Sequence, residues 1–154
     1  MAKFSLKVLI VDDELLIRDL MSHILTGLGC IVRCAEDGFT ALARIREASP
    51  DVLLSDLNMP GMSGYQLLSI VRRNFPGIYA IATSGSFSGT EVPEGVTADA
   101  FYEKATRLNL LFQILERAVR WKLEPSRSSS VPTPYSMTPA RIKASEVTEV
   151  PVYS

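Results

Sequence analysis

The sequence predicts an α/β protein built on a doubly wound sheet of five parallel strands with helices on both faces. Short aliphatic runs alternate with segments whose apolar residues recur at helical spacing. Strands separated by helices form right-handed βαβ units and therefore pair in parallel. The runs are also nearly continuous in apolar side chains, as expected of strands buried on both faces.

Strands are expected at "KVLIV" (7–11), "CIVRCA" (30–35), "DVLLSD" (51–56), "YAIAT" (79–83) and "AFYEK" (100–104). The first helix follows the Asp12-Asp13 pair, with Leu16, Ile17, Leu20, Met21, Ile24, Leu25 and Leu28 at helical spacing. Ala41, Leu42 and Ile45 mark the second helix, and Leu67, Leu68 and Val71 the third, for which Ser63 is placed as a cap. Leu108, Leu111, Phe112, Leu115 and Val119 mark the last. The segment between the fourth and fifth strands (84–99) carries Gly85, Gly89, Pro93 and Gly95. Glycine costs about 1 kcal/mol and proline about 3 kcal/mol within a helix, so at most a short or distorted helix is expected there.

Residues 1–124 thus form the folded domain. Residues 125–154 differ: fifteen of the thirty are Ser, Thr or Pro, a composition that predicts a disordered tail. Within it "EVTEVPV" (146–152) alternates faintly like a strand, against which Pro151 counts. With 47% apolar and 21% charged residues and a net charge of -1, no basic face is available for DNA or anionic lipid. No signal peptide or run long enough to insert into a membrane is found, which points to the cytoplasm. Cys30 and Cys34 fall in one strand, about 13 Å apart, beyond the reach of a disulfide. His23 reads as a surface residue of the first helix, and Trp121 as a packing residue of the last.

The chemistry lies at the strand ends. Asp12 and Asp13 close the first strand and Asp56 closes the third. In doubly wound sheets, sites form at the carboxyl ends of the strands where strand order reverses. Three carboxylates meeting there would oppose one another's ionisation, and a hard cation such as Mg²⁺, which takes oxygen ligands, relieves this. An aspartate before "ELLIRDL" is also a helix cap, a second role for Asp13. Ser84, preceded by Thr83, adds a hydroxyl at the fourth strand and Lys104 an ammonium at the fifth. A carboxylate can take a phosphoryl group as an aspartyl phosphate, with the cation and lysine neutralising its oxygens and the hydroxyl donating to one of them.

"VLIVDDE", "LLSDLNMPGMSGYQLL", "ATSG" and "ADAFYEK" resemble the receiver domain of bacterial two-component response regulators, in order and spacing, over residues 5–123. The resemblance implies a flavodoxin-like (βα)5 fold with strand order 2-1-3-4-5. It implies that Asp56 is the phosphoacceptor, that Asp13 binds Mg²⁺ directly and Asp12 through water, and that the Asn58 backbone carbonyl completes the metal site. Ser84, with Thr83 as the alternative, matches the switch hydroxyl, Lys104 the phosphate-binding lysine and Phe101 the aromatic switch. Ala105 departs from the pattern, since proline commonly follows the lysine. The weak helix at 84–99 departs too, and that helix usually forms part of the face that signals outward.

The function this implies is a stand-alone signalling module. A sensor histidine kinase or phosphotransfer protein phosphorylates Asp56 with Mg²⁺, and a protein-binding surface switches toward a downstream target or a phosphorylation-linked dimer. Its only catalysis is self-phosphorylation from a phosphodonor and slow autodephosphorylation. One alternative is a phosphorylation-independent adaptor that keeps the receiver fold. Another is a phosphatase with an aspartyl intermediate, which wants a second acid where Asn58 stands.

Overall fold

The five aliphatic runs fold as five strands because each buries apolar side chains against helices that the intervening segments supply. In this computed structural model, which describes residues 4–104 and 106–124, the order is β1 (Lys7–Val11), α1 (Leu15–Gly27), β2 (Ile31–Ala35), α2 (Gly38–Glu47) and β3 (Val52–Asp56). Then come α3 (Gly64–Asn74), β4 (Tyr79–Ser84), β5 (Ala100–Glu103) and α4 (Leu108–Leu123). The strands lie in the order β2-β1-β3-β4-β5, all parallel, so the order reverses between β1 and β3 as expected. Ala105 and residues 125–154, with the expectations made for them, lie outside the described residues.

Side-chain alternation along the strands splits the core in two. Val8, Ile10, Leu54, Ile81 and Tyr102 pack with Met21 and Leu25 of α1 and Leu111 and Leu115 of α4. Leu9, Val11, Leu53, Ala82 and Phe101 pack on the other face with Leu42, Ile45, Leu67 and Val71 of α2 and α3. Every residue of β3 and β4 is buried, whereas the edge strand β2 is buried only at Ala35 and exposes Ile31. Burial on both faces, expected of every strand, therefore fails at β2 but holds at the other edge, where β5 buries Ala100 and Tyr102 on one face and Phe101 on the other. Trp121 meets Tyr79 edge-on at 5.5 Å and packs against the first core. Both cysteines are free, and His23 is exposed. Among the described residues no helix is long and apolar enough to cross a membrane.

The helix starts differ from expectation in one place. Ser63 caps α3 in a full capping box with Gln66, and Asp37 caps α2 through the Thr40 N–H. Asp13, however, does not cap α1: Glu14 occupies that position without a side-chain bond. Instead Asp12 Oδ1 accepts the Glu14 N–H at 2.9 Å. The aspartate whose side chain folds back is the buried one of the pair, leaving the exposed Asp13 free of the helix start.

Residues 85–99 contain no helix at all. Gly89 and Gly95 take φ of 98° and 85°, left-handed conformations that end any helical turn. The segment is tied down by side chains: the Gly89 N–H donates to Glu103 Oε1 (3.0 Å), and Phe87 meets Phe101 edge-on at 6.5 Å. Asp99 accepts from both the Ala80 N–H (2.8 Å) and Arg72 (3.0 Å), closing the segment onto β4 and α3.

Gly64 at the start of α3 has no room for a side chain. A Cβ there would stand 1.9 Å from the Asp56 carbonyl oxygen and 2.6 Å from Leu57 Cα, both backbone atoms. Gly64→Ala is expected to cost about 3 kcal/mol or more, the upper end for overpacking because backbone must move. Urea denaturation of the two proteins measures it, and a loss below about 1 kcal/mol would mean that α3 does not abut β3 this closely.

Candidate functional site

The backbone ladder carries on past the strand ends and fixes the residues beyond them. The Asp12 N–H donates to Ala35 O, the Leu57 N–H to Thr83 O and the Lys104 N–H to Ser84 O. Asp56 is the last residue of β3, Ser84 the last of β4, and Lys104 lies one residue beyond β5 rather than at its end. Asp12, Asp56, Ser84 and Lys104 thus meet at the carboxyl edge, beside the point where strand order reverses.

Three carboxylates converge there. One oxygen from each of Asp12, Asp13 and Asp56 lies within 4.8 Å of the others. Asp12 and Asp56 are 1% and 3% exposed, while Asp13 opens to solvent. What keeps them together is Lys104, whose Nζ lies 2.9 Å from Asp12 Oδ2 and 3.3 Å from Asp56 Oδ2. Glu14 is a third and exposed partner at 3.6 Å. The Lys104–Asp12 contact is an ion pair without hydrogen-bond geometry, so Asp12 Oδ2 is a buried oxygen with no hydrogen bond. Such an oxygen calls for a further positive partner.

The charges act on one another accordingly. Burial, and after it the Asp12 carboxylate, push the Asp56 carboxyl above its ordinary range, against Lys104 and the Asn58 N–H, which hold it down. Burial pulls the Lys104 ammonium down, but the two carboxylates outweigh it and hold its pKa above that of free lysine. One ammonium facing three carboxylates leaves the pocket negative. An all-oxygen donor set, one orphaned buried oxygen and one ligand open to solvent together suit a hard divalent cation that keeps some of its waters.

The hydroxyls separate. Thr83 lies on the α1 side, where it lines a small apolar cavity with Ile10, Ile17, Leu54 and Lys104. Ser84 is fully buried, and its Oγ accepts the Ser86 N–H at 2.9 Å and Asn58 Nδ2 at 3.4 Å. Asn58 in turn directs its own N–H to Asp56 Oδ1 (3.3 Å), which makes it the link between Asp56 and Ser84. Phe101 is 1% exposed, already inside the second core. The structure therefore brings together Asp12, Asp13, Asp56, Asn58, Ser84 and Lys104, with Phe101 one layer below.

Sequence reasoning missed three contributors. Arg18 Nη1 donates to the Asp12 carbonyl at 2.6 Å, one helical turn after Glu14, and so braces the acidic turn from α1. Glu14 reaches Lys104, and Ser86 holds the Ser84 hydroxyl through its N–H. Arg18 was accessible from its helical spacing to Glu14. Ser86 was not, because its bond depends on a bend in the helix-free connection.

The chain matches the family model described as the response regulator receiver domain over residues 8–116. It is 33% identical to protein PilG of Pseudomonas aeruginosa over 101 residues, covering 66% of this chain and 67% of PilG. The chemotaxis protein CheY4 of Vibrio cholerae superposes with a TM-score of 0.66 at 32% identity, over 75% of this chain and 98% of CheY4. The response regulator TrrA of Thermotoga maritima, solved in complex with Mg²⁺-BeF, gives 0.67 at 26% identity, over 73% of this chain and 97% of TrrA. A match over most of the folded chain, with the same order of parallel strands, makes the assignment: the protein belongs to the receiver-domain family of two-component response regulators.

Proposed function

We propose that the protein is a phosphoacceptor module in which Asp56 takes a phosphoryl group from a phosphohistidine of a sensor histidine kinase or phosphotransfer protein in the cytoplasm. The observation that carries this is the Lys104 ammonium placed between Asp12 and Asp56, next to the most deeply buried acidic pair. A surface ion pair would need no such burial, and a purely structural lysine would need only one carboxylate.

The Asp56 carboxylate attacks phosphorus, the P–N bond to the donor imidazole breaks, and the phosphoryl group becomes an acyl phosphate on Asp56. Such a transfer depends on positioning and charge stabilisation more than on covalent help. Asp13, Asp56 and the Asn58 carbonyl, with Asp12 beside them, would hold Mg²⁺, which would neutralise the phosphoryl oxygens. Lys104 gives up its contact with Asp56 for a phosphoryl oxygen while keeping Asp12. The Ser84 O–H donates to another, its oxygen already steadied by the Ser86 N–H. That shift of Ser84, passed to the 85–99 segment that Phe87 fixes on Phe101, changes the surface offered to a downstream protein.

Incubation with Mg²⁺ and acetyl phosphate is expected to add one phosphoryl group, acid-stable and labile to hydroxylamine, by mass spectrometry. Asp56→Ala abolishes it, and Lys104→Gln slows it about 100-fold, the scale for removing one charge-stabilising donor. A wild-type protein that stays unlabelled would overturn the reading.

Stability gives an independent test of the charge arrangement. Because the native protein raises the Asp56 pKa, native Asp56 holds its proton more tightly than the unfolded chain does. Stability is therefore lost as pH rises from the unfolded value through the native one, and above both the ionised carboxylate is a net cost. In EDTA at pH 8, Asp56→Asn should melt above wild type, with the gap closing below about pH 4. Added Mg²⁺ should raise the wild-type melting temperature and narrow that gap. Equal melting of the two proteins in EDTA at pH 8 would show that Lys104 fully compensates Asp56 without a cation.

A further inference from the structure

Lys104 has to reach Asp12 and Asp56 together, yet little of its own surroundings fixes it. It stands one residue past β5, an edge strand of four residues that pairs with β4 alone. Its N–H on Ser84 O holds the backbone at one point. Toward α1 it borders an apolar cavity of about 50 Å³, lined also by Ile17, Met21, Leu54, Thr83 and Tyr102, so close packing does not set its direction on that side.

Two side chains supply the missing constraint. Tyr102 is 4% exposed, its ring packed in the first core, and its O–H donates to the Thr106 carbonyl at 3.0 Å. The Thr106 hydroxyl returns toward the strand and donates to the Glu103 carbonyl at 2.6 Å. The two bonds tie the chain just before Lys104 to the chain just after it, and one end of the tie is anchored in the core. A buried tyrosine hydroxyl needs an acceptor, but any nearby carbonyl would satisfy it. Here the acceptor lies across Lys104, and a second hydroxyl closes the loop from the far side. Fixing both flanks restricts the two soft backbone dihedrals of Lys104, and with them the direction in which its side chain leaves the chain. A small backbone tilt is amplified along that long side chain, and an error of about 1 Å at a reacting group costs about 100-fold in rate.

We propose that Tyr102 is a positioning residue for phosphoryl transfer, acting through Thr106 and the backbone on both sides of Lys104 to aim the ammonium at Asp12 and Asp56. The proposal rests on the phosphoacceptor reading of Asp56, and one arm of its test needs no phosphorylation.

Y102F keeps the ring and deletes the donor, and T106V keeps the shape of Thr106 and deletes the return bond. In the full chain, with acetyl phosphate and saturating Mg²⁺, each is expected to slow labelling of Asp56 about tenfold, part of the cost of a full 1 Å displacement, while T106S labels at the wild-type rate. In K104Q the Tyr102 hydroxyl has no ammonium left to aim, so Y102F/K104Q should label at the K104Q rate. In EDTA without a phosphodonor, NMR relaxation at the Lys104 ε-carbon should give a lower order parameter in Y102F than in wild type, with Lys7 unchanged. The proposal is overturned if Y102F or T106V labels at the wild-type rate, if Y102F slows K104Q by the factor it slows wild type (the mark of a purely structural role), or if the Lys104 order parameter does not fall. A wild-type chain that stays unlabelled overturns the phosphoacceptor reading instead, and the relaxation measurement then still decides whether Tyr102 holds Lys104.

Discussion

Two nearly fully buried carboxylates face one another across the carboxyl edge of the sheet, and a single ammonium makes this tolerable. At an effective dielectric of about 20, unit charges 4 Å apart interact by about 4 kcal/mol. Repulsion of that order between Asp12 and Asp56 opposes the ionisation of Asp56. Lys104, at 2.9 and 3.3 Å from the two, opposes it at both carboxylates. The compensation is incomplete: the Asp56 pKa still stands high, and Asp12 Oδ2 has no hydrogen bond. A pocket that folds with negative charge left over is disposed to accept more positive charge from a cation.

That balance depends on backbone far more than on side-chain freedom. Lys104 is aimed by its N–H on Ser84 O, Asp12 by its N–H on Ala35 O and by Arg18 on its carbonyl. Asp56 is backed by the start of α3, which comes so close that only glycine fits at position 64. The site is thus the terminus of four strands and two helices, and the apolar layers on both sides of the sheet hold those termini in place.

How much of this was legible in the sequence follows from which forces are local. Aliphatic runs mark strands because burial follows composition, and Ser63 and Gln66 mark a helix start because a capping box is written in four residues. Asp56 and Lys104 were legible as strand-end charges, whereas the strand order was legible only through the resemblance to the receiver family. The division of labour between Asp12 and Asp13 was not legible from the residues alone. It turns on which of two neighbours alternation sends toward the buried side, and a one-residue difference in where the strand stops reverses it. The same limit applied to 84–99. Glycine and proline predicted that a helix would be weak there, but its replacement by Glu103, Phe101 and Asp99 contacts depends on partners that come together only in the folded sheet.

The alternation that divides the core also sends Thr83 and Ser84 to opposite faces of the sheet. Ile81 and Tyr79 of β4 face α1 and α4, so Thr83 does too, and it ends in an apolar cavity beside Lys104. Ala80 and Ala82 face α2 and α3, so Ser84 falls on the side of Phe101. Lysine and serine hence approach the carboxylate edge from opposite faces, linked by one backbone bond from the Lys104 N–H to Ser84 O. A charge added at Asp56 pulls on both at once. On the lysine side it meets the small apolar cavity that Ile17 and Met21 of α1 line with Thr83. On the serine side it meets a helix-free segment anchored by one edge-on aromatic pair and a few hydrogen bonds. Lys104 and Ser84 are thus the two places where the charge on Asp56 meets the rest of the fold, one beside the cavity under α1 and one at the segment without a helix.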